Sequence, residues 1–400
     1  MSLFHPIAGI KIGTACAQIK HGDRDDLAVF ALAEGSTCAA VFTRNAFCAA
    51  PVTLARQHLA ATAPRFLLVN SGNANAGTGM SGLQAARICC EKVAQLRNCA
   101  PNEVLPFSTG VIGQPLPVHK IQTALPMALA NLDARNWEQA ARAIMTTDTV
   151  PKLASIPVFI DGQPALTVTG IAKGAGMIKP NMATMLAFIA TDAAVTAPVL
   201  QTCLTRAVNT SFNRITIDGD TSTNDACVLM ATGQSHLPVI DSITHRHFGQ
   251  LLIAVRHVCE ELAKAIVRDG EGATKFIKIM VEQGTSEQEC LEVAYAIANS
   301  PLIKTACFAS DPNWGRILAA VGRAPVENFD ISTVQIFLGD VCVVENGAVS
   351  VNYTEEQGQR IMHAKDIQIR VLLGRGEEHT RIWTCDFSYD YVKINAEYRT

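Results

Sequence analysis

The sequence KGAGMIKPNMATMLAFIATD, at residues 173–192, places a flexible loop, a turn and an apolar run directly after one another. The turn is centred on Pro180 and Asn181, and the apolar run covers residues 185–190. A short apolar run bounded by turn residues indicates a buried strand, since proline interrupts a regular helix. Thr184 stands directly before this strand, where a fixed hydroxyl group could act as a nucleophile. From these residues alone, an ordinary loop before a strand is the simpler interpretation.

Length and composition indicate a well-buried globular protein with two lobes. The chain has 400 residues, of which 48% are hydrophobic and 17% are charged, and this length exceeds the usual size of a single core. The formal net charge of −3 gives no electrostatic footprint for nucleic acid. The sequence contains no apolar run of membrane-spanning length and no signal peptide, so we expect a cytoplasmic protein with no membrane partner.

The thirteen cysteines do not suggest a disulfide framework or a zinc site. They are scattered along the chain, only Cys89 and Cys90 are adjacent, and no C-x-x-C motif occurs. Without a secretory signal, such cysteines are typically reduced and buried. Paired Cys/His spacing and the H-E-x-x-H motif are also missing, so we expect no metal.

Hydrophobic periodicity predicts short buried strands mixed with amphipathic helices, an α/β or α+β fold class. A change of lobe near residue 283 gives a main lobe, 1–283, and a smaller C-terminal lobe, 284–400. The last segment, 392–398, alternates as a strand would and puts Lys393, Asn395 and Glu397 on one face. Strands are predicted at 28–33, 38–43, 66–70, 215–217, 228–232 and 276–281, and helices at 81–96, 118–132, 137–145, 197–210, 248–268 and 287–299.

A glycine-containing loop at residues 106–113, PFSTGVIG, is a candidate anion site. Gly110 and Gly113 let the backbone adopt positive φ or approach a ligand closely. Backbone N–H groups in such a loop can hold an oxyanion. The alternative is a plain turn before the helix that follows.

Two further loops carry polar groups that could bind a ligand. In Thr146-Thr147-Asp148-Thr149, three hydroxyl groups surround one carboxylate, which suits either ligand binding or the capping of a chain reversal. Glu271 lies between two glycines in a loop after a helix, where a solvated glutamate is the simpler interpretation.

Several familiar catalytic motifs are absent. The chain has no Walker A loop, no dinucleotide-binding fingerprint and no G-x-S-x-G elbow. It has many Gly-, Asn- and Thr-rich loops after short strands, which is where binding and catalytic residues concentrate. The residues themselves therefore predict a soluble α/β or α+β enzyme, with a hydroxyl nucleophile as one option.

Nearly the whole chain resembles the ornithine acetyltransferase (glutamate N-acetyltransferase) family of arginine biosynthesis. The likeness rests on several long motifs in the right order, which is far more specific than a match to any one of them. The motifs are VFTRNAFCAAPV (41–52), VNSGNANAGTG (69–79), STGVIG (108–113), TTDT (146–149), KGAGMIKPNMATML (173–186), FNRITIDGDTSTND (212–225), DGEGATKF (269–276), DPNWGRI (311–317) and INAEYRT (394–400).

The resemblance implies a layered fold of the self-processing, N-terminal-nucleophile kind. The protein would cut its own Ala183–Thr184 bond, giving an α chain, 1–183, and a β chain, 184–400, and two such pairs would form a heterotetramer. The cut frees an α-amine on Thr184, which titrates near roughly 7.7–8.0 and can therefore accept the hydroxyl proton.

The implied reaction moves an acetyl group from N2-acetyl-L-ornithine to L-glutamate through an acetyl ester on Thr184. No cofactor is implied, although acetyl-CoA is a possible second acetyl donor in this family. By the family pattern, Thr109 and Gly110 form the oxyanion hole. The implied substrate-binding residues are Thr146 or Thr147, Lys173, Thr184, Glu271, Asn395 and Thr400.

Two other functions stay open at this point. An N-terminal-nucleophile aminopeptidase or amidohydrolase would share the self-cleaving layout but would release its product to water, without needing glutamate as an acceptor. A non-enzymatic binding protein would keep the fold but would fail to cut itself.

Overall fold

The structure, a computed structural model, describes residues 4–20, 22–160, 162–179 and 185–397. Several residues singled out from the sequence lie outside these ranges, and the predictions for them stay predictions. These residues are Pro180, Asn181, Ala183, Thr184 and Thr400.

The chain forms two compact units. The first contains residues 1–213 and 220–266, and the second contains residues 214–219 and 267–400. The lobes predicted from the sequence, 1–283 and 284–400, stay a prediction.

Nine strands form two sheets among the residues of the first unit that the structure describes. They are β1 (Ile10–Ala15), β2 (Leu27–Leu32), β3 (Thr37–Phe42), β4 (Phe66–Asn70), β5 (Val104–Ser108), β6 (Lys152–Ile160), β7 (Gln163–Lys173), β8 (Leu186–Thr191) and β9 (Ala226–Ala231). One sheet has the order β1-β2-β4-β5, and the other has the order β3-β9-β8-β7-β6.

Helices cover the outer faces of both sheets in the first unit. Residues of α2 and α3 share a buried cluster with strands β2, β4 and β5. A Cβ atom on Gly170 of β7 would come within 3.2 Å of Val258 and Leu262, so α6 packs closely on the other sheet. The helices are α1 (Ala50–Ala61), α2 (Gly79–Arg97), α3 (Val118–Ala130), α4 (Trp137–Ala143), α5 (Ala197–Asn209) and α6 (Phe248–Arg268), whose last residues belong to the second unit.

The inner faces of the two sheets pack against each other through aromatic side chains. The ring of Phe188 on β8 lies 5.2 Å from that of Phe30 on β2 and 5.1 Å from that of Phe107 on β5. Aromatic pairs at this spacing stabilise a core beyond their burial alone. The predicted mixed α/β fold, with layered sheets between helices, is confirmed.

The apolar run at residues 185–190 is a buried strand, as predicted. Strand β8 is enclosed because it pairs antiparallel with β7 and parallel with β9. Its first residue, Leu186, pairs with Lys173 on one side and with Ala226 on the other. This register brings the end of β7 and the starts of β8 and β9 to one edge of the sheet.

The second unit contains one mixed sheet of order β13-β12-β11-β14-β10-β15 with helices packed on it. Among the described residues, no helix of either unit is long and apolar enough to cross a membrane. The strands are β10 (Phe276–Gly284), β11 (Gln335–Leu338), β12 (Val341–Glu345), β13 (Ala348–Val349), β14 (Asp366–Leu372) and β15 (Glu378–Cys385), and the helices are α7 (Glu287–Ala298), α8 (Pro301–Phe308), α9 (Trp314–Gly322), α10 (Glu355–Met362) and α11 (Tyr389–Ala396).

The strand predicted at residues 392–398 is wrong, because most of this segment lies in helix α11. The Ser388 side chain accepts a hydrogen bond from the Asp390 N–H and caps the helix start. The helix therefore begins before the alternating residues and continues through them. Their alternation is too short to specify a strand.

The strand predicted at residues 215–217 is also wrong. Only Ile215 pairs, through a single bridge to Trp383 in the second unit. A 3₁₀ turn at Phe212–Arg214 precedes it, and bends follow. The chain therefore turns too soon for a strand to continue.

Candidate active site

Lys173 is the centre of a polar cluster in the first unit. Its Nζ donates to Thr146 Oγ1 at 2.8 Å and to Thr109 Oγ1 at 3.4 Å. The lysine is only 9% exposed, because it occupies the buried end of β7. Three of the site residues predicted from the family resemblance are thus in direct contact. Thr147, the other threonine left open, is half-buried beside them.

Asp148 holds this cluster in place. Its Oδ1 accepts hydrogen bonds from Lys152 Nζ at 2.6 Å and from the Gly174 N–H at 2.7 Å. Its Oδ2 accepts the Thr146 N–H at 3.0 Å and lies 3.9 Å from Lys173 Nζ. The one carboxylate therefore fixes both residues that meet at the Lys173–Thr146 hydrogen bond.

Asp148 is ionised despite its burial. Desolvation alone would raise the pKa of this carboxyl group, but the charges of Lys173 and Lys152 and the Gly174 N–H lower it to about 2. The TTDT motif pointed to Asp148 as a polar group. Lys152 was missed, because nothing in its local sequence indicates that its ammonium group is buried.

The loop after β5 has the backbone geometry expected of an anion site. Gly110 has a φ of +134°, and a Cβ atom there would lie 2.3 Å from the Gly72 carbonyl carbon, so only glycine fits. No described residue accepts a hydrogen bond from the Gly110 N–H. The neighbouring Thr109 is anchored through its own N–H to the Asn70 carbonyl oxygen at 3.0 Å.

A small cleft of about 30 Å³, partly open to solvent, lies beside this cluster. It joins the end of β7, the start of β8 and the loop before β9. Its described lining residues are Thr109, Lys173, Gly174, Gly176, Met177, Ile178, Met185, Leu186, Ser222, Asn224 and Asp225.

The last two lining residues were quoted above only as part of a motif, without a role. Asn224 donates to the carbonyl oxygens of Ser108 at 2.9 Å and Ala74 at 2.6 Å, and it thereby fixes the loop that carries Thr109. Asp225 is 2% exposed. An apolar strand directly after an Asn-Asp pair was the sequence feature that could have identified both residues.

Glu271 and Asn395 form a second pair, within the second unit. Asn395 Nδ2 donates to Glu271 Oε2 at 2.8 Å, and its position is fixed by a further hydrogen bond to the Tyr391 carbonyl oxygen. Glu271 is buried, whereas Asn395 is exposed on α11. The helix, rather than the predicted strand, brings these two predicted residues together.

Among the described residues, no group of three or more His, Cys, Asp or Glu side chains has the geometry of a metal site. Of the acidic groups near the cleft, Asp148 accepts hydrogen bonds from Lys152 and from backbone N–H groups, whereas Asp225 has one oxygen, Oδ2, without a partner among the described residues.

Comparison with known proteins agrees with these features. The ArgJ family pattern matches residues 11–400. The arginine biosynthesis bifunctional protein ArgJ of Methylococcus capsulatus is 61% identical over 395 residues, which cover 99% of this chain and 96% of that protein. The protein of the same name from Pseudomonas fluorescens is 58% identical over 396 residues, or 99% of this chain and 97% of that protein.

A solved structure gives a third comparison. The crystal structure of arginine biosynthesis bifunctional protein argJ from Bacillus halodurans is 40% identical, with a TM-score of 0.51. It covers 53% of this chain and 99% of the solved chain. The family predicted from the motifs is confirmed: this chain belongs to the ArgJ family of bifunctional arginine biosynthesis proteins.

Proposed function

We propose that this enzyme cuts itself and then transfers the acetyl group of N2-acetyl-L-ornithine to L-glutamate, releasing L-ornithine and N-acetyl-L-glutamate. The observation that carries the proposal is the contact of Lys173 with Thr109 and Thr146 at the sheet edge where β8 begins. In the sequence, Thr184 lies two residues before Leu186, the first residue of that strand. The relatives' names, which refer to arginine biosynthesis, favour this function over an aminopeptidase.

Self-cleavage would use the Thr184 hydroxyl group as the nucleophile. Its oxygen attacks the Ala183 carbonyl carbon, the amide becomes an ester, and water hydrolyses that ester. The products are an α chain, 1–183, and a β chain, 184–400. In support, almost all of the solved Bacillus halodurans chain aligns with about half of this one, which is the coverage that a cut near mid-chain produces.

Acetyl transfer would then proceed in two half-reactions. The free α-amine of Thr184 accepts the hydroxyl proton while the oxygen attacks the acetyl carbonyl carbon. Collapse of the tetrahedral intermediate passes that proton to the leaving amine of ornithine and leaves an acetyl ester on Thr184. The amine of glutamate attacks this ester and regenerates the enzyme, which is a ping-pong scheme.

Thr109 and Gly110 would stabilise the oxyanion of each tetrahedral intermediate. The Thr109 hydroxyl group accepts a hydrogen bond from the Lys173 ammonium group, so its own proton is directed away from that lysine. The Gly110 N–H has no acceptor among the described residues. Donors fixed before the reaction stabilise developing charge without reorganising.

The charged residues suit the proposed substrates. Lys173 would pair with a substrate carboxylate, and Glu271 would pair with the δ-ammonium group of ornithine, since charge-assisted hydrogen bonds are strong in partly dry sites. Asn395 orients Glu271 through the 2.8 Å hydrogen bond. Thr146 or Thr147, together with Thr400, would complete the substrate contacts by the family pattern.

Several wider features belong to the same proposal. The relatives' description as bifunctional supports acetyl-CoA as a second acetyl donor to glutamate. The proposal includes no other cofactor. The processed enzyme would have a main lobe, 1–283, and a smaller lobe, 284–400. Two α/β pairs would associate as a heterotetramer in the cytoplasm.

Substitution of Thr184 tests the proposal. Wild-type protein should give two fragments by intact mass spectrometry and should transfer acetyl only when glutamate is present. Thr184→Ala should stay uncut and inactive, because it lacks the attacking oxygen. Thr184→Ser should keep part of both reactions. Serine retains the attacking oxygen, but it lacks the methyl group that restricts χ1, so its hydroxyl group is less well aimed.

Thr123→Ala is the matched control, since Thr123 is an exposed helical threonine whose hydroxyl group donates to the His119 carbonyl oxygen within its own helix. This variant should be cut and active like the wild type. An uncut wild-type chain with full transferase activity would contradict the mechanism, because the α-amine base would not exist.

A further inference from the structure

Asp225 is a buried residue that lines the cleft and has one carboxyl oxygen without a hydrogen-bond partner among the described residues. It lines the cleft together with Thr109 and Lys173 and is only 2% exposed. Its Oδ2 has no hydrogen-bond partner among the residues that the structure describes. Buried polar atoms without partners are rare and costly in folded proteins. An unused oxygen at the wall of a cleft therefore indicates a ligand.

The strand register places Asp225 level with Met185, the first described residue after the proposed nucleophile. The Ala226 N–H donates to the Met185 carbonyl oxygen at 2.9 Å, in the parallel ladder of β8 and β9. Neighbouring strands lie roughly 4.8 Å apart. Leu186 pairs with Ala226, so Met185 and Asp225, the residues before them, stand at the same end of adjacent strands. Thr184 directly precedes Met185 in the sequence.

The backbone around Asp225 is fixed relative to the anion loop. The Asp225 carbonyl oxygen accepts the Thr43 N–H at 3.0 Å. Asn224, the residue before it, donates to the Ser108 carbonyl oxygen directly before Thr109. Asp225 and Thr109 therefore both line the cleft on backbone that short hydrogen bonds hold in place.

We infer that Asp225 is a further catalytic residue: a neutral carboxylic acid whose Oδ2–H donates a hydrogen bond to the oxygen of the acyl group under attack. The inference rests on the proposed acetyl transfer. The proton stays on Oδ2 throughout, so Asp225 adds a third donor beside Thr109 and Gly110 and takes no part in the proton balance.

The charge state of Asp225 agrees with this role. Burial raises the pKa of its carboxyl group well above the usual value, and the opposing hydrogen bonds from Ser222 and the charge of Lys173 do not offset burial. A carboxylic acid kept neutral by its surroundings donates to a developing oxyanion in other enzymes. An ionised Asp225 would instead repel that oxyanion.

Two substitutions separate a neutral donor from an ionised base. Asp225→Asn keeps the shape and supplies an N–H donor, so kcat for acetyl transfer should stay within about tenfold of wild type. Asp225→Ala removes the donor, and kcat should fall by about 10²- to 10³-fold with KM little changed. Both proteins should be assayed after processing, with the α chain and the β chain together, and their folding should be checked by thermal unfolding.

Asp192→Ala is the matched control. Burial also raises the pKa of Asp192, but this residue follows the opposite end of β8 and bonds the Thr167 N–H. Its loss should lower stability and leave kcat near wild type. If Asp225→Ala fails to fold, Asp225→Val, which fills more of the volume, takes its place.

Two results would overturn the inference. Asp225→Ala, or Val, with near wild-type kcat would show that the donor is not used. Asp225→Asn with as large a loss as Ala would show that an ionised carboxylate is required. Failure of the proposed function is distinguishable from both, because wild-type protein would then show no acetyl transfer at all.

Discussion

Lys152 Nζ lies 2.6 Å from Asp148 Oδ1, and neither side chain reaches solvent. This buried pair anchors the lysine and threonine of the proposed site, although neither of its members lines the cleft. The pair therefore predicts effects on stability that can be separated from effects on chemistry.

Lys152→Met should destabilise the fold by about 3–5 kcal/mol, because it leaves a buried carboxylate with only part of its compensating charge. The shift in the midpoint of urea unfolding measures this. Arg142→Met is the matched control, since Arg142 and Glu138 form an i,i+4 pair of the same spacing that is mostly exposed. Equal shifts in the two variants would contradict a buried, charge-dependent role for Lys152.

Asp148 should give the fold a specific sensitivity to acid. The pKa of this carboxyl group is lowered to about 2 from 3.8, so its stabilisation is present above pH 3.8 and is lost as pH falls towards 2. The stability advantage of wild type over Asp148→Asn should shrink by about 2 kcal/mol across that range. Urea unfolding of both proteins in a pH series measures the difference.

Asp133→Asn is the control that shows how salt affects the acid sensitivity due to an exposed carboxylate. Asp133 also has a pKa lowered to about 2, through its hydrogen bonds with Arg135, but this pair is exposed. Its acid sensitivity should fade in high salt, which screens exposed charges. The acid sensitivity that Asp148 gives to the fold should persist in high salt, because Asp148 is buried. If high salt removes that sensitivity, Asp148 is accessible to solvent.

Gly110→Ala should impair both self-cleavage and acetyl transfer, because a Cβ atom there would collide with the Gly72 backbone and displace the N–H. Removal of one oxyanion donor costs about 10²- to 10³-fold in kcat in other enzymes. Gly113→Ala is the control, since Gly113 also has a positive φ but open space around it. If Gly110→Ala is fully processed with normal turnover, the oxyanion hole lies elsewhere.

Glu271→Gln should weaken the use of N-acetylornithine more than it weakens self-cleavage, because Glu271 is assigned to the substrate's cation. Loss of one charge-assisted hydrogen bond costs about 1.5–3 kcal/mol, which is roughly 10- to 100-fold in KM. Steady-state kinetics and the extent of cleavage measure the two effects separately.

Glu289→Gln is the matched control for that variant. Glu289 is another buried glutamate of the second unit, bonded to Arg375 at 2.8 Å, and its substitution should affect stability rather than KM. Loss of cleavage with an unchanged KM in Glu271→Gln would overturn the assignment of Glu271.

The fold could be predicted from sequence where local pattern and tertiary setting agree. Strand β8 is an example, because an apolar run between two turns is stable only when both of its faces are buried. Helix α11 is a counterexample: a few alternating residues favoured a strand, but the Ser388 cap upstream and the Asn395–Tyr391 hydrogen bond belong to a helix. In such a short segment, capping and packing outside the alternating residues decide the secondary structure.

The site could be predicted only where a motif named its residues. Lys173, Thr109 and Thr146 were predicted from the family resemblance, and their contact is seen directly. Lys152 and the unused oxygen of Asp225 could not be predicted, because both depend on burial created by the sheet register. Burial converts an ordinary charged residue into an anchor or a neutral acid, and no local sequence pattern encodes it.

The order of the five-stranded sheet has a consequence for the mature enzyme. A cut between Ala183 and Thr184 assigns β3, β6 and β7 to one polypeptide and β8 and β9 to the other. The two polypeptides then remain joined by the β7–β8 and β3–β9 ladders of a single sheet. Before the cut, folding is unimolecular; after it, recovery from the denatured state is bimolecular and depends on protein concentration. The native arrangement would thus be reached once, as a single chain, and afterwards be preserved by slow unfolding.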